Sequence, residues 1–169
     1  LSGDETWLGS LLHRVDADVV VPAGMTLTIE AGAIVKLGTR LGIVLQPGGR
    51  LVAQGTAAQP IVFTSLRDDS AGGDSNGDGD TTAPAPGDWR WLYVDGAEAV
   101  LEHVELRYSA GTASGSWEQT GMLRTSGAAT VTIRNGVLRD ALFDGVLAWG
   151  GSVAIENTIL ANIDRAVSA

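Results

Sequence analysis

The residues with the clearest chemical potential lie in an acidic stretch at 67–88. Its centre, residues 74–80, reads Asp-Ser-Asn-Gly-Asp-Gly-Asp, so oxygen-bearing side chains occupy alternate positions. Carboxylates this close repel one another unless a cation joins them. Ca²⁺ takes about six to eight oxygen ligands, and glycines allow the chain to curl until alternate side chains converge. The stretch therefore predicts a calcium-binding loop.

The residues that could supply the ligands are Asp68, Asp69, Asp74, Asn76, Asp78, Asp80 and Asp88. The start matches the calcium-loop pattern Asp-x-Asn-x-Asp-Gly. The end does not, because the twelfth residue from Asp74 is Ala85, where an EF-hand places a bidentate Glu. The missing carboxylate is expected from Asp68, Asp69 or Asp88. A solvated acidic loop is the alternative, and a bound ion is expected to pin the loop rather than to perform chemistry.

A second group of candidates consists of tryptophans. Trp117 and Trp149 could stack on sugar rings, because flat indole faces on a long sheet suit pyranoses. The alternative is packing of loops onto the fold through the large apolar area of indole, a role in which Trp89 and Trp91 would share. Two exposed indoles on one face would favour the sugar-binding interpretation.

Catalytic motifs are not evident. The sequence has no nucleophile elbow, no HExxH, no P-loop and no dinucleotide fingerprint. Its carboxylates show no pair at a spacing typical of glycosidases, and its only lysine is Lys36. A non-catalytic role is the expectation.

Composition excludes several classes of function. The chain of 169 residues has a formal charge of −9, with 11 Lys+Arg against 20 Asp+Glu. No basic surface is available for nucleic acid or for an anionic membrane. No apolar run approaches the roughly 20 residues of a membrane span, and the absence of Cys excludes disulfides. We expect neither nucleic-acid binding nor membrane insertion.

The elements that position these residues form a repeat. The segments 122–140 and 146–162 superpose with Ile133 on Ile155, a step of 22 residues. Each unit holds three short alternating strands broken by Gly or polar turns, so stacking of coils is needed to bury their apolar faces. The pattern predicts an all-β parallel β-helix of about six coils. Residues 1–17 are predicted to form an N-terminal cap, and 67–88 and 109–120 are predicted to be insertions. Sustained helical spacing of apolar residues is missing from the sequence, and Thr6 to Arg14, within the cap, is the short segment that comes nearest to it.

The same superposition aligns His103, Asn135 and Asn157 at a turn between strands. Stacked Asn side chains can hydrogen-bond one another and the turn backbone, as buried turns require. These three residues are predicted to form an internal structural ladder rather than a catalytic or ligand site.

The stretches Asp18-Val-Val-Val-Pro-Ala-Gly-Met-Thr-Leu-Thr-Ile-Glu-Ala-Gly and Leu51-Val-Ala-Gln-Gly-Thr-Ala-Ala-Gln-Pro-Ile-Val-Phe-Thr-Ser resemble right-handed parallel β-helix repeat proteins of bacterial surfaces. The resemblance covers about residues 15–165 and places the chain in the pectate-lyase-like superfamily. It implies the right-handed fold and a calcium loop at Asp69, Asp74, Asn76, Asp78 and Asp80. It also leaves open a carbohydrate-active protein, either a polysaccharide binder or a pectate-lyase-like enzyme.

The last segment, 164–169, has the pattern of an opening strand with no polar cap after it. An uncapped solenoid exposes strand edges and apolar side chains. The expected partners are therefore further coils of a longer chain, or copies of the protein stacked head to tail into a filament. The expected role is a non-catalytic, calcium-stabilised module, structural or adhesin-like, outside the cell or on its surface.

Overall fold

The chain is a right-handed parallel β-helix of six coils in a computed structural model that describes residues 1–111 and 120–169. Each coil contributes one strand to each of three six-stranded sheets. The first sheet contains β1 Glu5–Trp7, β4 Thr26–Ile29, β7 Arg50–Gln54, β10 Glu98–Glu102, β13 Thr130–Arg134 and β16 Ser152–Glu156.

The second sheet contains β2 Leu12–Val15, β5 Ile34–Leu37, β8 Ile61–Ser65, β11 Val104–Arg107, β14 Val137–Arg139 and β17 Ile159–Ala161. The third sheet contains β3 Val19–Val21, β6 Ile43–Leu45, β9 Leu92–Asp95, β12 Gly121–Ser126, β15 Asp144–Ala148 and β18 Arg165–Ser168. All these pairings are parallel, and no helix occurs in the part of the chain that the structure describes, hence none that could cross a membrane.

The alternation of side chains determines the core. In β13 the apolar Val131 and Ile133 point inward and are buried, whereas Thr130 and Arg134 are exposed. The register pairs Leu101 with Ile133 and Ile133 with Ile155, which confirms the alignment of the repeats. Each inward column of the helix is therefore a stack of apolar side chains that no single coil could bury alone.

Residues 1–17 form strands and not a helix. Thr6 lies in β1 and Arg14 in β2, and both strands pair in register with the next coil. Trp7 is buried and stacks on His13 with ring centroids 5.1 Å apart, so the segment packs as a first coil of the β-helix.

Both insertions leave the helix at the corner between the second and third sheets. The acidic stretch lies between β8 and β9, and the stretch 109–120 lies between β11 and β12. Most of that second insertion, including Trp117, is outside the described residues. The bases of the two insertions meet at Trp89, which is fully buried and donates from Nε1 to the Arg107 carbonyl at 2.8 Å.

Candidate metal centre in the acidic insertion

The acidic insertion lies over a column of basic side chains on the outer face of the second sheet. The register pairs Arg14 with Lys36 and Lys36 with Thr64. It also pairs Arg107 with Arg139, and Arg107 Nε donates to Thr64 Oγ1 at 3.2 Å. We call Arg14, Lys36, Arg107 and Arg139 the basic column.

Three members of the basic column hold the insertion. Arg14 donates to the Ser75 carbonyl at 3.0 Å, and Lys36 donates to the Gly73 carbonyl at 2.5 Å. Arg107 forms an ion pair with Asp68 at 2.6 Å. Sequence reasoning missed this column, although Arg14 and Lys36 are separated by the same 22 residues as the repeats.

The insertion brings three carboxylates together. One oxygen each of Asp69, Asp74 and Asp78 lies within 4.8 Å of the others. Asp69 Oδ1, Asn76 Oδ1 and Asp78 Oδ1 are buried and have no hydrogen-bond partner among the described residues. Buried acceptors of this kind normally have a partner, so these unpartnered oxygens, together with the convergence of the three carboxylates, fit a hard cation with oxygen ligands.

The backbone around Asp74 explains how the loop curls. Asp74 Oδ1 accepts hydrogen bonds from the amides of Gly77 at 2.7 Å and Asp78 at 3.3 Å, and its Oδ2 accepts one from Gly79 at 2.9 Å. Gly77 and Gly79 have φ of 76° and 61°, a region that side chains disfavour. Hydrogen bonds from Gly79 and Gly77 lower the pKa of Asp74, so this carboxylate stays ionised.

Asp69 has the opposite electrostatic environment. Desolvation and then the neighbouring Asp74 raise the pKa of Asp69, and Lys36 counteracts them. A carboxylate whose ionised form is disfavoured by other carboxylates would gain from a cation between them. Asn76 Nδ2 and Thr82 Oγ1 donate to Asp78 Oδ2 at 2.8 and 2.5 Å, which leaves Asp78 Oδ1 for such a cation.

The other three predicted ligands, Asp68, Asp80 and Asp88, lie outside the three-carboxylate group. Asp80 is exposed, lies outside the three-carboxylate group and, with Asp69, lines a pocket of about 300 Å³. Asp68 accepts hydrogen bonds from Thr64 and Ser70 besides its ion pair with Arg107. Both Asp68 oxygens are thus engaged, so the structure does not support its prediction as a ligand.

Asp88 is likewise engaged at the other end of the insertion. It accepts hydrogen bonds from Ser65 Oγ at 2.7 Å and the Ala85 amide at 3.1 Å, and it pairs with Arg67 at 3.1 Å. Its carboxylate therefore closes the base of the insertion. The structure does not bring Asp88 into the group formed by Asp69, Asp74 and Asp78.

The predicted ladder residues occupy the corner between the first and second sheets. His103, Asn135 and Asn157 all have positive φ, at 47°, 54° and 45°. Asn157 Nδ2 donates to Asn135 Oδ1 at 2.6 Å. Asn135 is half-buried and Asn157 is exposed, so this pair lies at the rim rather than in the interior; His103 shares the backbone conformation, but no side-chain hydrogen bond joins it to Asn135. Asn162 and Asp140 form a similar stacked pair at the next corner, which the sequence analysis missed.

The tryptophans of the described residues do not form an open platform. Trp149 is 49% exposed, but the Arg124 guanidinium lies 3.9 Å from its ring centroid. The same guanidinium lies 5.2 Å from the Trp91 ring, which also faces Arg90 at 5.0 Å. Arginines thus alternate with indoles along the third sheet, an arrangement that stabilises side chains by cation–π attraction.

Two of the basic groups beside the carboxylates, Lys36 and Arg107, are poorly placed for acid–base chemistry on a polymer. Lys36 is fully buried under the insertion. Arg107 is buried and occupied by Asp68 and Glu105. A general base must come within hydrogen-bonding reach of substrate, and neither side chain is accessible from outside the insertion.

Comparison with known proteins gives one family match. The model of the family described as pectate-lyase-like beta helix domain matches residues 2–78. That range includes β1 to β8 and the insertion as far as Asp78. No curated protein and no solved structure matches the chain significantly.

Proposed function

We propose that this right-handed parallel β-helix, pectate-lyase-like over residues 2–78, is a non-catalytic structural module whose acidic insertion binds Ca²⁺. The observation that carries the proposal is the group of buried oxygens without partners, Asp69 Oδ1, Asn76 Oδ1 and Asp78 Oδ1, beside Asp74. These are carboxylate and amide oxygens, the ligand types that Ca²⁺ prefers.

Calcium is a better fit than Mg²⁺ for this group. Mg²⁺ is smaller, demands near-ideal octahedral geometry and usually keeps several waters. Here three carboxylates of one insertion converge, Asn76 adds an unpartnered oxygen to the same loop, and the glycines between them allow adjustment to a larger ion. The ion would pin a long insertion onto the second sheet, which is a stabilising role without a reaction.

The proposed location is the outside of the cell or its surface. Extracellular calcium modules work with Kd values of about 10⁻⁴–10⁻³ M because calcium there is abundant. A rigid solenoid with flat sheets would then serve as a structural or adhesin-like element, joined to further coils or to copies of itself.

The carbohydrate-active alternative has less support. Within residues 1–111 and 120–169, Trp149 is the only indole classed as exposed, and Arg124 stacks on it. Two open indoles on one face are needed for the sugar-stacking interpretation. Two of the basic side chains beside the carboxylates, Lys36 and Arg107, are also buried and so are not available to a substrate as a base.

Thermal unfolding in excess Ca²⁺, excess Mg²⁺ and excess chelator tests the proposal. A ligand that binds only the folded state, at 100 times its Kd, adds about 2.7 kcal/mol. At about 2–4 °C per kcal/mol, Tm should rise by about 5–10 °C with Ca²⁺ and by less with Mg²⁺.

The variant Asp78→Asn should lose the response to Ca²⁺, because it replaces a predicted ligand oxygen without changing size. Glu98→Gln is the matched control, since Glu98 is exposed, pairs with Arg50 on the first sheet at 3.2 Å and lies outside the three-carboxylate group. Equal Tm in Ca²⁺ and chelator for the unmodified protein would overturn the calcium proposal.

A further inference from the structure

Lys36 is a buried cation beside the carboxylate group. It is the only lysine of the sequence and is fully buried, on β5 beneath the insertion. Its ammonium donates to the Gly73 carbonyl at 2.5 Å, directly before Asp74. A fully buried lysine is rare unless it has a partner, so its place calls for an electrostatic explanation.

The neighbouring carboxylates provide that explanation. Burial lowers the pKa of Lys36 below its ordinary value, and the charges of Asp69, Asp68 and Asp74 offset part of that effect in favour of the charged form. Asp68 is already paired with Arg107, so the charge of Lys36 is directed to Asp69 and Asp74. Three carboxylates at the candidate site and one ammonium leave two net negative charges, which one divalent ion would neutralise.

We propose that Lys36 is a resident counter-ion of the insertion, which keeps the loop closed without calcium and limits the affinity of the site for Ca²⁺. This inference rests on the proposed calcium site. In the absence of Ca²⁺ the ammonium holds the Gly73 carbonyl and offsets the repulsion among the carboxylates. When Ca²⁺ binds, the ammonium repels it, so the site is weaker than its ligand set alone would make it.

The inference predicts that Lys36→Gln binds Ca²⁺ more tightly but has a less well-held insertion when Ca²⁺ is absent. The Gln amide is still a hydrogen-bond donor but has no charge. Affinity for Ca²⁺, measured by isothermal titration calorimetry, should increase by about ten-fold or more, because a cation beside the ion has been removed. In excess chelator the insertion should become more susceptible to a protease that cleaves before Asp, at Asp74, Asp78 and Asp80. The unmodified protein in chelator should stay protected there.

The matched control is Arg50→Gln, which makes the same change of net charge. Arg50 lies on the first sheet and pairs with Glu98 at 3.2 Å, away from the insertion. It should leave both the affinity and the cleavage rate unchanged, so an effect common to both variants would reflect net charge alone and would overturn the inference.

The possible results separate this inference from the calcium proposal. If the unmodified protein shows no heat of Ca²⁺ binding and no shift of Tm, the calcium site fails and this inference with it. If it binds Ca²⁺ but Lys36→Gln binds equally or more weakly, only the role of Lys36 is refuted. If Lys36→Gln does not fold, the test is the rate at which the protease cleaves the unmodified protein in chelator. Cleavage as fast as that of an isolated peptide of residues 67–88 would show that Lys36 does not hold the loop.

Discussion

Replacing Asp68 by Asn should destabilise the fold while leaving Ca²⁺ binding intact. The Asp68 side chain is 1% exposed and lies 2.6 Å from Arg107, which is itself 10% exposed. Removing one partner of a buried ion pair costs about 3–5 kcal/mol because the other charge is left without compensation. Arg107 keeps Glu105 at 3.1 Å, so we expect the lower end, about 3 kcal/mol. This corresponds to a decrease in Tm of roughly 6–12 °C.

The assay is thermal unfolding followed by circular dichroism at pH 7 in saturating Ca²⁺. Glu98→Gln is the control, because Glu98 makes an ion pair of 3.2 Å on the first sheet, with side-chain exposures of 46% for Arg50 and 48% for Glu98. An exposed pair contributes about 0–1 kcal/mol, so this variant should lose no more than roughly 4 °C. Calorimetry on the same samples should give equal Ca²⁺ affinities.

The pH dependence provides a further check with a defined sign. Burial by itself would raise the pKa of Asp68, but hydrogen bonds from Ser70 and Thr64 and the charge of Arg107 lower it below its ordinary value of 3.8. A depressed pKa adds stability above pH 3.8 that is lost as the pH falls through the folded-state pKa. The gap in Tm between the unmodified protein and Asp68→Asn should therefore narrow in acid. Equal losses for Asp68→Asn and Glu98→Gln at pH 7, or loss of Ca²⁺ binding in Asp68→Asn with an unchanged Tm, would refute the anchoring role.

Three more predictions concern the rest of the helix. Asn135→Ala should cost about 1–2 kcal/mol in urea unfolding, because its φ is 54°, and Asn135→Gly should cost less; equal costs would contradict a backbone origin. Arg124→Ala should cost about 1 kcal/mol and shift indole fluorescence to the red, since Arg124 covers Trp149; an unchanged spectrum would argue against the stack in solution. Stacking of copies should appear in sedimentation velocity as larger species whose fraction increases with protein concentration. The reason is that Val153 and Ile155 are only half-buried, whereas Val131 and Ile133, their equivalents one coil earlier, are fully buried. A monomer at every concentration would refute stacking.

Much of the fold could be predicted because its physics is periodic. Short alternating strands need stacking to bury one face, and a step of 22 residues brings Ile155 onto Ile133, as the register confirms. The secondary structure of the N-terminal segment was harder to predict, because Thr6 to Arg14 shows no clear alternation of apolar and polar residues. Pairing with the next coil makes it two strands, so tertiary contacts decide where local pattern does not.

The sequence identifies the middle of the candidate metal site but does not separate its ligands from the residues that anchor the insertion. Alternate spacing identifies Asp74, Asn76 and Asp78, because that spacing is itself the geometric requirement of a curled loop. Asp68 and Asp88 have the same side chain and lie in the same stretch, so composition cannot separate anchors from ligands. The distinction depends on where Arg107 and Arg67 lie, which requires the register of coils that are distant in sequence.

The basic column gives a physical reason for the position of the acidic insertion. Parallel strands in register stack equivalent side chains about 4.8 Å apart, so Lys36 directly beside Arg14 would repel it on a bare sheet. The insertion places carbonyls and the Asp68 carboxylate over that column and so offsets the repulsion. The insertion starts and ends at the corner between the second and third sheets, so its extra residues do not disturb the pairing of β8 or β9 with neighbouring coils. Lys36 offsets only one of the three negative charges of Asp69, Asp74 and Asp78, and these are then the carboxylates that a divalent cation would join.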